Sequence, residues 1–184
     1  MSETYCKYVQ TRPIHKHYHD TEYGFPVRED SALLKRLTLE IAQAGLSWEI
    51  ILKKKDGYRR AFEGFDLSLV AAYGDEEESR LLADAGIVRN RLKVRATIEN
   101  ARRLVTIRST HGSFADWLDR HYPLSPEEWQ KLFKKTFLFT GGEIVRSFLL
   151  STGYLPGAHD DDCPAFAKIA ALHPPWMERP LKNV

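Results

Sequence analysis

Apolar residues in this chain recur at spacings of three and four. Nowhere does a β-branched run alternate with polar residues at period two, so the expected fold class is all-α. In SALLKRLTLEIAQAG, the residues Leu33, Leu34, Leu37, Ile41 and Ala44 share one helix face, and Asp30 can serve as the N-cap. A second helix is expected over Trp48 to Phe62, and Asp66 can cap a short one in LSLVAAY. Asp75 and Glu78 form a D-x-x-E box ahead of SRLLADAG, and residues 91–108 read as a long basic helix. Ser113 opens FADWLDRHY, while Ser125-Pro-Glu-Glu128 combines a capping box with proline at the first helical position. Glu143 to Thr152 closes at Gly153, and the proline-rich residues beyond it read as an irregular tail, assigned to 164–184, that wraps the domain.

A length of 184 residues suits one domain, and 43% hydrophobic with 28% charged residues is an ordinary folded composition. No apolar run reaches the roughly 20 residues that span a bilayer, and the N-terminus lacks a signal-peptide core. The expectation is a cytosolic or nucleoid-associated monomer with no membrane partner. A net charge of +2 names no partner, but the basic residues are clustered. Lys53, Lys54, Lys55, Arg59 and Arg60 make one group; Arg89, Arg91, Lys93, Arg95, Arg102 and Arg103 make another. Such groups can build a phosphate-facing patch or simply a solvated helix face.

Three constellations bear on chemistry. Cys6 and His19 near one end, with His159 and Cys163 as H-x-x-x-C near the other, supply a Cys2His2 set suited to tetrahedral zinc. Spacing alone leaves His15 and His17 as rival ligands and free thiols as the simpler reading. The i, i+4 pair His159 and Cys163 fits one helical turn. The stretch 75–108 reads as helix, hairpin, helix, with Gly86 supplying the tight turn and Arg89, Arg91 and Lys93 beside a helix N-terminus. That arrangement can grip a DNA phosphate without reading bases, or be an ordinary helical hairpin. Glu40 lies at the margin of an apolar stripe, where a carboxylate is unfavourable without a partner. Trp48 follows shortly, and Tyr5, Tyr8, Tyr18 and Tyr23 precede it; rings beside a carboxylate can sandwich a flat base.

The blocks YHDTEYG (18–24), AGLSWEIILKKKDGYRRAF (44–62) and DAGIVRNRLKVRATIENA (84–101), with the H-x-x-x-C pair, resemble the DNA-3-methyladenine glycosylase I family. The resemblance runs in order from about Cys6 to Cys163. It implies a helix–hairpin–helix glycosylase that removes 3-methyladenine from alkylated double-stranded DNA without lyase activity. It implies a structural zinc held by Cys6, His19, His159 and Cys163, choosing His19 among the histidines and stapling 1–20 to 155–165. Glu40 matches the family's base-contacting carboxylate, and Tyr18 and Trp48 its pocket aromatics. Gly45 and Leu46 match the segment that fills the gap left by the extruded nucleotide, and Gly86 with its neighbours the phosphate-binding hairpin.

Departures from the family pattern fall at the pocket. His15 stands where well-known members carry tyrosine, and Tyr8 where they often carry tryptophan. The stretch after Phe139 is Thr140-Gly-Gly-Glu143 rather than small and hydroxyl residues, and the linker before it is shorter. His15 and Tyr8 are therefore candidate base-binding positions that bear on lesion preference. Two readings compete with a 3-methyladenine glycosylase on the same fold: a damaged-DNA-binding protein without catalysis, and a glycosylase for another alkylated purine. A zinc hydrolase is disfavoured by the closed four-ligand set and the lack of H-E-x-x-H.

Overall fold

The computed structural model describes residues 4–178, and every regular element among them is a helix. Helices α1 (Tyr5–Tyr8) and α2 (Pro13–Thr21) lead into α3 (Asp30–Gln43) and α4 (Trp48–Ala61). Next come α5 (Leu67–Ala72), α6 (Asp75–Ala83), the long α7 (Arg91–His111), α8 (Phe114–His121), α9 (Pro126–Thr136) and α10 (Gly142–Ser151).

Helix α3 occupies the centre, packed by α4, α5, α7, α8 and α10. The apolar stripe at Leu33, Leu34, Leu37 and Ile41 is buried as its spacing predicts, but so are Arg36, Thr38, Leu39 and Glu40 on other faces. A helix enclosed on nearly all sides must satisfy its polar side chains internally. Arg36 does so by donating to the Tyr18 hydroxyl at 3.2 Å and to the Glu22 carbonyl at 2.8 Å, and Thr38 by donating to the Leu34 carbonyl at 2.8 Å. Across α3, aromatic residues from α8, α9 and α10 (Phe114, Trp129, Phe133 and Phe148) fill the core.

Three helix starts behave as their sequences predict. Asp66 accepts from the N–H groups of Ser68 and Leu69 at 2.9 Å each, Ser113 accepts from Asp116 at 2.9 Å, and Ser125 and Glu128 cap one another reciprocally. Two others differ. Asp30 begins α3 but its carboxylate accepts from the Phe114 N–H at 2.8 Å, so it caps the neighbouring α8 across space. At α6 the Glu77 carboxylate, not Glu78, reaches back to the Gly74 N–H at 2.7 Å. Glu78 is drawn aside by Arg95, at 2.7 Å.

The stretch read as an irregular tail is not irregular throughout: it carries α11 (Pro164–Ala170) and α12 (Pro175–Glu178). Proline at the first position starts each of these short helices, which is where proline favours a helix rather than breaking it. Positions 179–184 of that tail lie outside the described residues. Helix α11 packs against α2, so the two ends of the chain meet.

Candidate active site and metal centre

Where the ends meet, Cys6, His19, His159 and Cys163 are all buried, with their ligand atoms within 4.8 Å of one another. His19 Nε2 is 3.0 Å from His159 Nδ1, 3.3 Å from Cys6 Sγ and 3.7 Å from Cys163 Sγ. With metal–nitrogen bonds of about 2.0–2.1 Å and metal–sulfur bonds of about 2.3 Å, a tetrahedron has edges of about 3.3–3.8 Å; the separations of 3.0–3.8 Å here are close to these, so the set could hold such an ion. The outer ring nitrogens are also held. Asp20 Oδ1 lies 2.7 Å from His19 Nδ1, and the Tyr23 carbonyl lies 2.7 Å from His159 Nε2. These contacts aim the inner nitrogens at the cluster centre. Burial raises the Cys6 thiol to about 11 and lowers His159, leaving a neutral imidazole; a cation among the four would offset the cost of thiolate formation. His15 and His17 take no part: His15 packs by Tyr5 and Tyr8, and His17 is exposed. His159 and Cys163 sit on a turn closed by the Cys163 N–H to the Asp160 carbonyl at 2.9 Å, not on the helical turn that their spacing suggests. Pro164 begins α11 immediately afterwards.

Beside the cluster, a cavity of about 240 Å³ opens between α1, α2, α3 and α10. Tyr5, Tyr18, Tyr23 and Trp48 supply aromatic walls, with Gln43 from α3 and Glu143 and Ser147 from α10. Glu40 lies at its floor, 6% exposed, and among the described residues nothing donates a hydrogen bond to its carboxyl. Burial raises that carboxyl to about 8; the Arg36 guanidinium opposes the shift and Glu143 adds to it. Tyr18, 2% exposed, is fixed by the Arg36 hydrogen bond and meets Trp48 edge-on with ring centroids 5.2 Å apart. Arg36 is anchored in turn by Glu22. Burial alone would raise the Glu22 carboxyl, but Arg36, Lys55 and Lys35 outweigh it and hold it at about 2.

The sequence-predicted site residues separate into two groups. Glu40, Tyr18 and Trp48 come together at the cavity. His15 and Tyr8 do not line it: Tyr5 stands in front of them, its hydroxyl 3.1 Å from His15 Nδ1, and the Arg12 guanidinium covers the Tyr8 ring at 3.8 Å. Tyr5 and Tyr23 are legible in the sequence only as aromatics of the region. Gln43, Ser147 and Glu143 carry no signal of lining a cavity there, although Glu143 lies in the divergent Thr140–Glu143 stretch.

On the adjoining surface, α6 and α7 form the two arms of the helix–hairpin–helix. Gly86 does not adopt the left-handed backbone expected of a tight turn. A Cβ on Gly86 would crowd Asp84 Oδ1 at 2.9 Å, and a Cβ on Gly57 of α4 would meet the Gly86 carbonyl oxygen at 2.2 Å, so the hairpin backbone lies directly on α4 and the closer demand for glycine is at position 57. Arg89 and Arg91 are exposed. Lys93 is not; it turns inward, 8% exposed, and donates to the carbonyls of Ala42 and Ala44 at 2.8 and 2.6 Å. These are orphan acceptors at the C-terminus of α3, and a buried lysine stem satisfies them where a phosphate cannot reach. The bond ties the hairpin to the next turn, in which Gly45 is exposed with φ +78° and Leu46 is partly buried against the core.

A methyladenine glycosylase family model matches residues 8–131. DNA-3-methyladenine glycosylase 1 of Escherichia coli (strain K12) is 34% identical, with 80% of this chain and 89% of that protein covered. DNA-3-methyladenine glycosylase of Haemophilus influenzae is 30% identical, with 88% and 97% covered. A solved variant of 3-methyladenine DNA glycosylase I in complex with 3-methyladenine superposes with a TM-score of 0.80 at 29% identity, covering 97% of this chain and 98% of that one. With most of its length matched in sequence and nearly all of it in fold, the chain belongs to the methyladenine glycosylase family.

Proposed function

We propose that this protein is a DNA-3-methyladenine glycosylase, hydrolysing the N-glycosidic bond of 3-methyladenine in alkylated DNA. The observation that carries the reading is Glu40, a buried carboxyl with no hydrogen-bond donor among the described residues, in a cavity walled by aromatic rings. Alkylation at N3 leaves the nucleobase cationic and a good leaving group, so the site's tasks are extrusion, selection and stabilisation of an oxocarbenium-like sugar. Glu40 ionises on meeting that cation and accepts from the exocyclic amine. Tyr18 and Trp48 offer ring faces and edges to the same base, at about 0.5–2 kcal/mol per favourable cation–aromatic contact.

Around the mouth, Gly45 and Leu46 occupy the gap in the base stack, and the hairpin with Arg89 and Arg91 holds phosphates by charge and backbone N–H groups. Lys93 serves this surface indirectly, by fixing the turn that presents Leu46. Asp20 is engaged by Lys16 and His19, both at 2.7 Å, and serves to orient the His19 imidazole. Among the described residues no lysine lines the cavity, which agrees with base release without a Schiff base. Cys6, His19, His159 and Cys163 would hold one zinc ion. Four protein ligands leave it no open position, and its contribution is to lock the two ends of the chain together behind the cavity. The chain acts as a monomer on double-stranded DNA in the cytoplasm or nucleoid. Incubation with methylated DNA, followed by chromatography of released bases, tests the function: free 3-methyladenine is expected, and its absence with folded, metal-loaded protein contradicts the reading.

A further inference from the structure

We propose that Glu143 is a specificity-determining residue: a rim carboxylate that, with Glu40 at the floor, makes the cavity prefer a positively charged flat base over a neutral one of the same shape. The proposal rests on the functional reading above and assigns a role to a residue outside it. Glu143 and Ser147 lie one turn apart on α10 and line the same cavity as Glu40 on α3. Among the described residues no arginine or lysine lines this cavity, and its two ionisable carboxyl groups, Glu40 and Glu143, share an aromatic lining. Glu143 attracts an approaching cation and Glu40 does so once it ionises beside one, while a neutral ring gains only the stacking.

The position of Glu143 sharpens the point. It stands in the first turn of α10, whose N-terminal end carries the partial positive charge of the helix and by itself would disfavour a cation at the rim. A glutamate there reverses the local sign. Arg146, one turn on, pairs with it loosely, with 3.9 Å between Nη1 and Oε1, too long for a hydrogen bond, and the Glu143 side chain is 82% exposed. Its charge is therefore available to the mouth of the cavity and is felt at the floor, where it adds to the raised pKa of Glu40. The same charge repels DNA phosphates, so selectivity is set against general affinity for the duplex.

Glu143→Gln and Glu143→Thr keep a polar side chain at an exposed helix position and leave Glu40 untouched. Binding to wild type and both variants is measured by calorimetry with 3,9-dimethyladeninium, a fixed cation, and with 9-methyladenine, its neutral counterpart. Both substitutions are expected to weaken cation binding by about two- to fivefold, the range for an exposed charge, with the neutral purine unchanged. In parallel, binding to undamaged duplex DNA should tighten at low salt, a shift that loss of packing at the rim would not produce. Equal effects on cation and neutral base, no effect on either, or failure of wild type to prefer the cation would each overturn the proposal. If wild type binds the cation selectively but releases no base from DNA, the glycosylase reading fails while the assignment of Glu143 stands.

Discussion

Glu40 combines near-complete burial, an aromatic surround and a carboxyl raised to about 8, and these properties have a kinetic consequence. A raised carboxyl pKa favours the protonated form of the free protein, and that contribution to stability is lost as pH rises through about 8. Recognition of a cationic base requires the ionised form, so kcat/KM for base release should rise with pH and level off near pH 8, in step with the free enzyme. In the bound state the cation favours ionisation, so the same limb in kcat should lie at lower pH. Profiles of both parameters between pH 5 and 9 check this; coincident limbs would contradict it. Trp48 could be found in the sequence because it sits in a distinctive block, and Glu40 because a carboxylate at the margin of an apolar stripe stands out. Lys93 shows the opposite case. Its basic neighbours made it read as a phosphate contact, but nothing local reveals two unsatisfied carbonyls about 50 residues away waiting for its ammonium. Tyr5 likewise enters the wall only because the chain folds it over His15.

At the scale of elements, helices were legible wherever a cap and an apolar face coincided, as at Ser113 and Ser125. The hairpin was legible too, but for a different reason from the one its glycine suggested. Contact between Gly57 and Gly86 is backbone against backbone, a relation between α4 and the hairpin that periodicity along one helix cannot reveal. Gly57→Ala should accordingly displace the hairpin or strain α4, costing about 1–3 kcal/mol of stability as overpacking does. DNA affinity should fall more than binding of free 3-methyladenine in the cavity. Thermal unfolding, DNA titration and ligand titration of the variant would show it, and a variant with wild-type stability and DNA affinity would contradict the packing described here. The His159–Cys163 turn is hidden for a similar reason: an i, i+4 interval is compatible with a helix, but Pro164 starts a new one just beyond it.

Among the described residues the molecule is a helical body in which early and late segments of the chain, α2 and α11, meet at the Cys2His2 cluster beside the cavity. Two of the aromatic walls, Tyr5 and Tyr18, directly precede cluster members Cys6 and His19, so the ends of the chain and the cavity are built together. Protein purified without chelators should carry about one zinc per chain, and removing it should lower the thermal midpoint sharply, because such a site contributes folding free energy directly. Cys163→Ser should lose most of the metal; full retention would exclude this cluster as the site. The central claim, that a buried carboxylate in an aromatic cavity excises a cationic alkylated base, is tested most directly by single-turnover release of 3-methyladenine from methylated duplex DNA by wild type and Glu40→Gln. Release by wild type and a loss of at least about 100-fold in the variant are expected, the scale for removing one preorganised electrostatic partner. No release by folded, metal-loaded wild type, or equal rates for the two proteins, would contradict that claim.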